Sequence, residues 1–243
     1  MVGPTIVLFD LDGVVLTQKA LEYTALVHLR NKFYNWQNIE NLRLIDFARI
    51  FEEADTKNRF ISLKKANLAY KSIIPNKIKR ILFFFRFRRS YKKFEKMYEQ
   101  INPQLNTILT KFKKKGIISG IISNTSSKRL IYYKLKFNLD KNISLFVSRD
   151  NIPVRKPHPY PIIFALKEIK EKFNFPNINK NNVYYIGDLS SDIISAKAAN
   201  VKSIAILSGH GTEKQLRDSK PDYIIKEIKD ILEIEPFKKL LSD

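Results

Sequence analysis

Short apolar runs alternate with segments of helical spacing along most of this chain. The runs are continuous and end abruptly in polar residues, which is typical of strands buried on both faces of a sheet. Strands separated by helices favour a parallel sheet with helices packed on both sides. We therefore predict an α/β fold with a Rossmann-like, doubly wound parallel sheet. The runs are residues 6–9, 117–122, 144–147, 183–186 and 203–207, and the clearest helical segments are 105–115, 159–172 and 192–199.

Polar side chains follow the ends of these runs. Asp10 and Asp12 follow the first run, Ser123 and Asn124 follow the second, and Asp188 follows the fourth. Ligands of open α/β sheets bind at the carboxyl ends of the strands. We therefore expect these side chains to gather in one site.

Asp10 and Asp12 lie one residue apart at the end of a strand that we predict to be buried. Two such carboxylates repel each other and lose hydration, and a hard divalent cation held by oxygen ligands is the usual compensation. Gly13 allows the sharp turn that brings backbone close to a bound group. Taken alone, the pair is explained equally well by a strand that ends in an acidic turn.

The composition of the chain indicates which partners it favours and which kinds of site it cannot form. The 243 residues carry a net charge of +20, which favours anionic partners such as phosphorylated metabolites, nucleic acid or an anionic membrane surface. The chain has no cysteine, which excludes disulfides, thiolate nucleophiles and zinc sites built on cysteine. Its longest apolar stretches are too short to span a membrane. We expect a cytoplasmic protein without a transmembrane segment.

Four polar motifs occur in order along the chain. They are Asp10-Leu11-Asp12-Gly13, Ser123-Asn124, Lys156-Pro157-His158-Pro159 and Gly187-Asp188-Leu189-Ser190-Ser191-Asp192. Their order and spacing resemble the haloacid dehalogenase (HAD) superfamily, in particular its phosphoglycolate-phosphatase-like members.

The resemblance implies an α/β core made of residues 1–16 and 99–243, with a helical (C1-type) cap domain inserted at residues 17–98. Apolar spacing in part of that insertion is helical, as at Leu21, Ala25 and Leu29. The same spacing occurs at Leu44, Phe47, Ala48 and Phe51.

The same resemblance implies a Mg²⁺-dependent phosphatase that hydrolyses a phosphomonoester of a small metabolite through an aspartyl-phosphate. Asp10 would attack phosphorus, and Asp12 would protonate the leaving oxygen and then take a proton from water. Ser123 and Asn124 would bind phosphate oxygens together with Lys156, whose charge would also stabilise the nucleophile. A phosphomutase of the same family uses the same groups, so the motifs do not separate the two activities.

The resemblance also implies a set of ligands for Mg²⁺. Asp10, the Asp12 carbonyl and Asp188 would hold the ion, since it prefers oxygen ligands in octahedral geometry. Asp192 would orient these ligands without touching the ion.

Each motif outside the first has a structural alternative. Ser123 with Asn124 would only cap the next helix, and Lys156 would be a solvated loop lysine. Asp188 and Asp192 would be an N-cap and an exposed helix acid. These alternatives must all hold together to displace the catalytic interpretation.

The three histidines carry no role in this interpretation. His158 is expected to be a turn residue. His28 and His210 have no evident partners and are expected to be structural or exposed.

Residues 77–96 combine nine basic side chains with six aromatic ones and one acid. The first interpretation is a helix that buries an apolar face of Ile78, Ile81, Leu82 and Phe85 and exposes a basic face. The alternative is a segment that binds nucleic acid or an anionic membrane. Under that alternative, the protein would be a HAD-fold binding protein in which hydrolysis is secondary or lost.

Overall fold

The computed structural model describes residues 3–17, 19–38 and 59–241. By its internal contacts the chain divides into two compact units. One unit is formed by residues 1–17 and 101–243, and the other by residues 18–100.

A six-stranded sheet forms the centre of the first unit, with the order β3-β2-β1-β4-β5-β6 and all pairs parallel. This is the doubly wound order of Rossmann-like folds, so the predicted fold class is confirmed. The five predicted runs all form strands, and the chain adds β6 at the edge. The strands are β1 Ile6–Phe9, β2 Ile118–Ile122, β3 Leu145–Val147, β4 Val183–Gly187, β5 Lys202–Ile206 and β6 Tyr223–Ile225.

Both faces of the sheet are covered, as the continuous apolar runs predicted. Val7 and Phe9 of β1 belong to one buried hydrophobic cluster, and Ile6 and Leu8 belong to another. Successive side chains of a strand point to opposite faces, so one short strand contributes to both clusters. This burial fixes the position of the residues that follow β1.

Helices connect the strands, and the three that we predicted in this unit are present with their ends within two residues of the prediction. Over the described residues, the helices of the second unit are α1 Lys19–Leu29, α2 Arg59–Ala69 and α3 Lys77–Tyr98. Those of the first unit are α4 Leu105–Lys114, α5 Ser127–Lys136, α6 Tyr160–Lys172, α7 Ser190–Ala198, α8 Glu213–Asp218 and α9 Glu235–Leu241.

The predicted apolar face of α3 is wrong. Ile78, Leu82 and Phe85 are exposed, and the helix instead buries an aromatic stripe that packs with residues of α1 and α2. A run of four apolar residues at 82–85 fits several helical faces, and the ring-to-ring contacts of the larger side chains select the one that is buried. The stripe comprises Phe83, Phe84 and Phe87. The predicted helical spacing at residues 44–51 lies outside the described residues.

Burial of this stripe bears on the binding alternative. Three of the six aromatic side chains of residues 77–96 are fully packed inside the helical unit and present no ring face to a nucleic-acid base. Within the described part of the chain, no helix combines the length and apolarity needed to cross a membrane.

Candidate active site

The site begins where β1 ends, at the point where the strand order reverses between β1 and β4. The Asp10 amide donates to the carbonyl of Ile186 at 2.8 Å, which ties this end of β1 to β4. Crevices at such reversal points are where ligands bind in doubly wound sheets. The Asp10 side chain is buried there, 8% exposed.

Lys156 lies at the centre of the site. Its Nζ donates to Asp10 Oδ1 at 2.6 Å, to Asp192 Oδ1 at 2.6 Å and to the Tyr185 hydroxyl oxygen at 2.8 Å. The side chain is buried, so the alternative of a solvated loop lysine is wrong. A buried ammonium is tolerated only with close acceptors, and three acceptors surround this one.

Burial and charge act in opposite directions on Lys156. Burial alone lowers the pKa of its ammonium, but the carboxylates of Asp10 and Asp192 outweigh burial, and the net pKa is raised well above the ordinary value. Lys156 therefore carries a fixed positive charge beside the carboxylate of Asp10.

Three buried carboxyl groups, those of Asp10, Asp188 and Asp192, lie together, with one oxygen of each within 4.8 Å of the others. The alternative of an N-cap and an exposed helix acid is wrong, because the N-cap of α7 is Leu189 and Asp192 is 1% exposed. Burial raises the pKa of Asp10 well above its ordinary value, and Lys156 offsets this only in part. The cluster thus holds three carboxyl groups, of which two accept from the ammonium of Lys156.

One atom of this cluster lacks a partner among the described residues. Asp188 Oδ1 is buried and accepts no hydrogen bond. A buried carboxylate oxygen without a donor costs free energy unless a cation or water completes it. The hard oxygen donors around it are of the kind that Mg²⁺ prefers, so the residues fit a divalent cation.

The Asp12 side chain makes a separate contact. Arg129, on the first turn of α5, donates to it through two nitrogens, Nη1 to Oδ2 at 3.2 Å and Nη2 to Oδ1 at 2.9 Å. The guanidinium also lies over the ring of Tyr133, 5.3 Å from its centroid. The side chains of Arg129 and Asp12 are about one-third exposed, at 34% and 35%. This pair therefore faces solvent, whereas Lys156 and the carboxylates that accept from it are buried.

Ser123 and Asn124 follow β2, the neighbour of β1. Phe9 pairs with Ile121 in the sheet, which brings the two strand ends to the same edge. Ser123 is buried, and its Oγ accepts from the Thr125 amide at 3.1 Å. The alternative that this pair caps the next helix is wrong, because the N-cap of α5 is Ser126.

Asn124 is exposed, and its Nδ2 donates to the Lys156 carbonyl at 3.4 Å. This contact joins the second and third motifs through the backbone. Asp10 and Asp192 thus contact Lys156 directly, and one oxygen of Asp188 lies within 4.8 Å of a carboxylate oxygen of each. The Asp12 side chain instead pairs with Arg129.

Two residues with polar contacts in the site, Tyr185 and Arg129, were not singled out by sequence analysis. Tyr185 lies between Lys156 and the Ile122 carbonyl, to which its hydroxyl donates at 3.3 Å. A tyrosine in a strand buried on both faces needs a partner for its hydroxyl, and that requirement was the available signal. For Arg129 the signal was a cation in the first turn of a helix, where the helix dipole disfavours positive charge.

We predicted that His210 has no partner, and this prediction is wrong. Its ring Nδ1 lies 2.7 Å from Asp188 Oδ2, beside the acidic cluster. His28 is buried and lies 3.1 Å from the Ser90 hydroxyl, inside the helical unit. His158 is in a turn as predicted, where its Nδ1 accepts from the Tyr160 amide.

Comparison with known proteins supports the motif interpretation. A family model described as haloacid dehalogenase-like hydrolase matches residues 7–206. Pyrophosphatase PpaX of Oceanobacillus iheyensis is 28% identical over 46% of this chain and 49% of its own length. Phosphoglycolate phosphatase of Nitrosococcus oceani is 33% identical over 36% of this chain and 37% of its own length. The matches thus span less than half of either relative.

Solved structures share the fold over nearly the whole chain. A predicted phosphoglycolate phosphatase from Haemophilus somnus 129pt has a TM-score of 0.63 at 20% identity, and the match covers 95% of this chain and 97% of that one. A hydrolase from Pseudomonas syringae has a TM-score of 0.60 at 20% identity, with 94% and 96% covered. With the family model matching most of its length, this chain belongs to the haloacid dehalogenase-like hydrolases, as its motifs predicted.

Proposed function

We propose that this protein is a Mg²⁺-dependent phosphatase that hydrolyses a phosphomonoester of a small metabolite through an aspartyl-phosphate. The observation that carries the proposal is the buried ammonium of Lys156, 2.6 Å from both Asp10 and Asp192. Asp188, which has one buried carboxylate oxygen without a partner, lies close to these two carboxylates. Phosphoryl transfer requires fixed positive charge around three phosphate oxygens and a nucleophile held in line. A structural ion pair alone would not leave a buried carboxylate oxygen without a partner.

In the first step, a carboxylate oxygen of Asp10 forms a bond to phosphorus as the bond from phosphorus to the leaving oxygen breaks. Asp12 gives a proton to that leaving oxygen. In the second step, water attacks the aspartyl-phosphate, Asp12 takes a proton from the water, and Asp10 is released as a carboxylate with inorganic phosphate. Ser123 and Asn124 bind the phosphate oxygens throughout, and the positive charge of Lys156 stabilises the phosphate and the nucleophile.

Asp10, Asp188 and the Asp12 carbonyl are the groups proposed to hold Mg²⁺. When bound, the ion neutralises phosphate charge and balances the excess of carboxylates in the cluster. Asp192 accepts from Lys156 and from the Leu189 amide, at 2.6 and 3.0 Å. We propose that it positions the lysine and the start of α7.

The names of the relatives indicate the class of substrate. One is called a pyrophosphatase and the other a phosphoglycolate phosphatase, and both names denote small, anionic phosphate compounds. We propose a small phosphorylated substrate of this kind, and we propose that residues 17–98 act as the cap domain that selects it. A cytoplasmic location stays a prediction.

The proposal predicts that phosphate transfer requires the cation. Wild-type protein should release p-nitrophenol from p-nitrophenyl phosphate in Mg²⁺, and EDTA should lower the rate at least about 100-fold, since losing the ion removes several kcal/mol of charge stabilisation. Circular dichroism in EDTA checks that the fold persists. A rate unaffected by EDTA contradicts the proposal.

A screen of sugar phosphates, phosphoglycolate and nucleotides for phosphate release then identifies the substrate. An isomer of the substrate formed without phosphate release identifies a phosphomutase instead.

A second prediction concerns Arg129. If Asp12 is the acid, Arg129→Met should lower kcat/KM about 10- to 100-fold for an alkyl phosphate such as glycerol phosphate, because Asp12 loses the group that orients it. The loss should be much smaller for p-nitrophenyl phosphate, whose leaving group needs little protonation. The free energy of unfolding should change by less than about 1 kcal/mol, since the pair is partly exposed.

The matched control for this variant is Arg217→Met, which removes another bidentate arginine, from the exposed pair with Glu213 on α8. Its kcat/KM should equal that of the wild type for both substrates. Equal losses on both substrates in Arg129→Met would show that Arg129 does not act through the acid.

The alternative of a binding protein that uses residues 77–96 is weakened by burial, because half of the aromatic side chains that would stack on bases are packed inside the helical unit.

A further inference from the structure

The loop after β5, residues 209–211, makes three polar contacts with Asp188. The His210 amide and the His210 ring Nδ1 both lie within hydrogen-bond distance of Asp188 Oδ2, at 2.6 and 2.7 Å. The Gly211 amide donates to the Asp188 backbone carbonyl at 2.9 Å. A carboxylate oxygen can only accept, so Nδ1 is the ring nitrogen that donates. The ring is 12% exposed and the Asp188 side chain is 0% exposed.

Close packing leaves the carboxylate no room to turn. A Cβ at Gly13, where φ is +81°, would lie 2.0 Å from Asp188 Oδ2 and 2.7 Å from His210 Nδ1. A Cβ at Gly209 would lie 2.0 Å from the Cβ of Asp188. Glycine is thus needed on both sides, because any larger residue would displace either the carboxylate or the ring.

The consequence is an asymmetric carboxylate. Oδ2 receives two donors from His210, whereas Oδ1 is buried and receives none. A carboxylate free to rotate would exchange its two oxygens, but one held at Oδ2 by two donors keeps Oδ1 as the oxygen that is left for a further ligand. Groups that orient a ligating carboxylate in this way contribute to metal affinity without touching the metal.

We propose that His210 is a positioning residue that fixes the Asp188 carboxylate with Oδ1 directed to the divalent cation, and that its ring N–H makes the site selective for Mg²⁺ over Ca²⁺. The proposal rests on the cation site of the proposed function. Mg²⁺ requires near-ideal octahedral geometry, whereas Ca²⁺ accepts six to eight oxygens in flexible arrangements. Loss of orientation therefore affects Mg²⁺ binding more than Ca²⁺ binding.

Two variants separate the donor from the ring. His210→Phe keeps a ring of similar size without a donor, and His210→Asn supplies a side-chain N–H without the ring. We expect His210→Phe to raise the Kd for Mg²⁺ about 10- to 100-fold and to raise the Kd for Ca²⁺ several-fold less. We expect His210→Asn to recover most of the Mg²⁺ affinity. His158→Ala, at an exposed histidine, should bind both ions as the wild type does.

Calorimetric titration of metal-free protein with Mg²⁺ or Ca²⁺ measures these constants without any turnover. The Tm of each variant in EDTA checks folding, and His210→Ala replaces His210→Phe if the larger ring does not fit. A Kd for Mg²⁺ within twofold of wild type in the donor-less variant overturns the proposal. The proposal is also overturned if the affinities for Mg²⁺ and Ca²⁺ fall equally and His210→Asn does not recover them, because a purely structural role would give that result.

The same titration separates this inference from the proposed function. Wild-type protein that binds Mg²⁺ but hydrolyses no phosphate ester defeats the proposed function and leaves the role of His210 standing. Wild-type protein that hydrolyses phosphate esters while the donor-less variant binds Mg²⁺ normally defeats only the role of His210. Wild-type protein that binds no Mg²⁺ defeats both.

Discussion

Replacing Asp10 by Asn should lower kcat/KM for phosphate esters by about 10⁴-fold or more, the scale on which removal of a nucleophile acts. The amide has the shape of the carboxylate but cannot form the aspartyl-phosphate. Phosphate release from p-nitrophenyl phosphate in Mg²⁺ is the measurement.

Stability gives this variant an internal check. Burial raises the pKa of Asp10, which means that the folded protein favours its neutral form. A neutral Asn should therefore leave the metal-free Tm unchanged or raise it, while Lys156 keeps Asp192 as an acceptor. Asp140→Asn, at an exposed carboxylate, is the matched control and should retain full activity. An active Asp10→Asn would reject the covalent mechanism, and an inactive but unfolded one would not support it.

The polar residues at the ends of the apolar runs were predictable because topology alone brings them together. Six parallel strands place all their carboxyl ends at one edge, so Asp10 and Asp188 must approach each other once β1 and β4 pair. The sequence also carried the family order of the motifs. Fold class and family follow from those two observations, and both are confirmed.

Contacts that depend on side-chain length and direction were not predictable in the same way. The run 183–186 reads as apolar, and only the alternation of a placed strand shows that Tyr185 points towards Lys156 while Tyr184 packs against Phe237. Arg129 reaches Asp12 across 117 positions of sequence, a distance that no local pattern encodes. His210 follows a predicted strand, but its contact with Asp188 depends on how closely the backbone at Gly13 and Gly209 approaches the Asp188 side chain.

The aromatic helix α3 shows a different limit. A run of bulky apolar residues has no preferred helical face of its own, so periodicity predicts that a face is buried without identifying which one. The buried stripe of Phe83, Phe84 and Phe87 became identifiable only with α1 and α2 in place.

Replacing Lys156 by Met should affect both activity and stability. The phosphate and the nucleophile lose their buried positive charge, and kcat/KM should fall about 10²- to 10³-fold, as when one transition-state donor is removed. Asp10 and Asp192 lose their shared counter-charge, and the metal-free protein should lose about 3–5 kcal/mol of unfolding free energy at pH 8. Urea unfolding in EDTA measures the second effect. Lys167→Met, which breaks an exposed pair with Glu171, should cost less than about 0.5 kcal/mol.

The pH dependence of that loss tests its cause. Burial raises the pKa of Asp10 and of Asp192, and the charge of Lys156 lowers both, so the variant's carboxylates take up protons at higher pH than those of the wild type. A carboxylate whose pKa is raised by folding destabilises the folded state above that pKa and regains stability as the pH falls. The deficit of Lys156→Met should therefore shrink between pH 8 and pH 5, and Mg²⁺ should reduce it at pH 8. A deficit that is constant with pH and unaffected by Mg²⁺ would mean that Lys156 stabilises the protein by packing and not by charge.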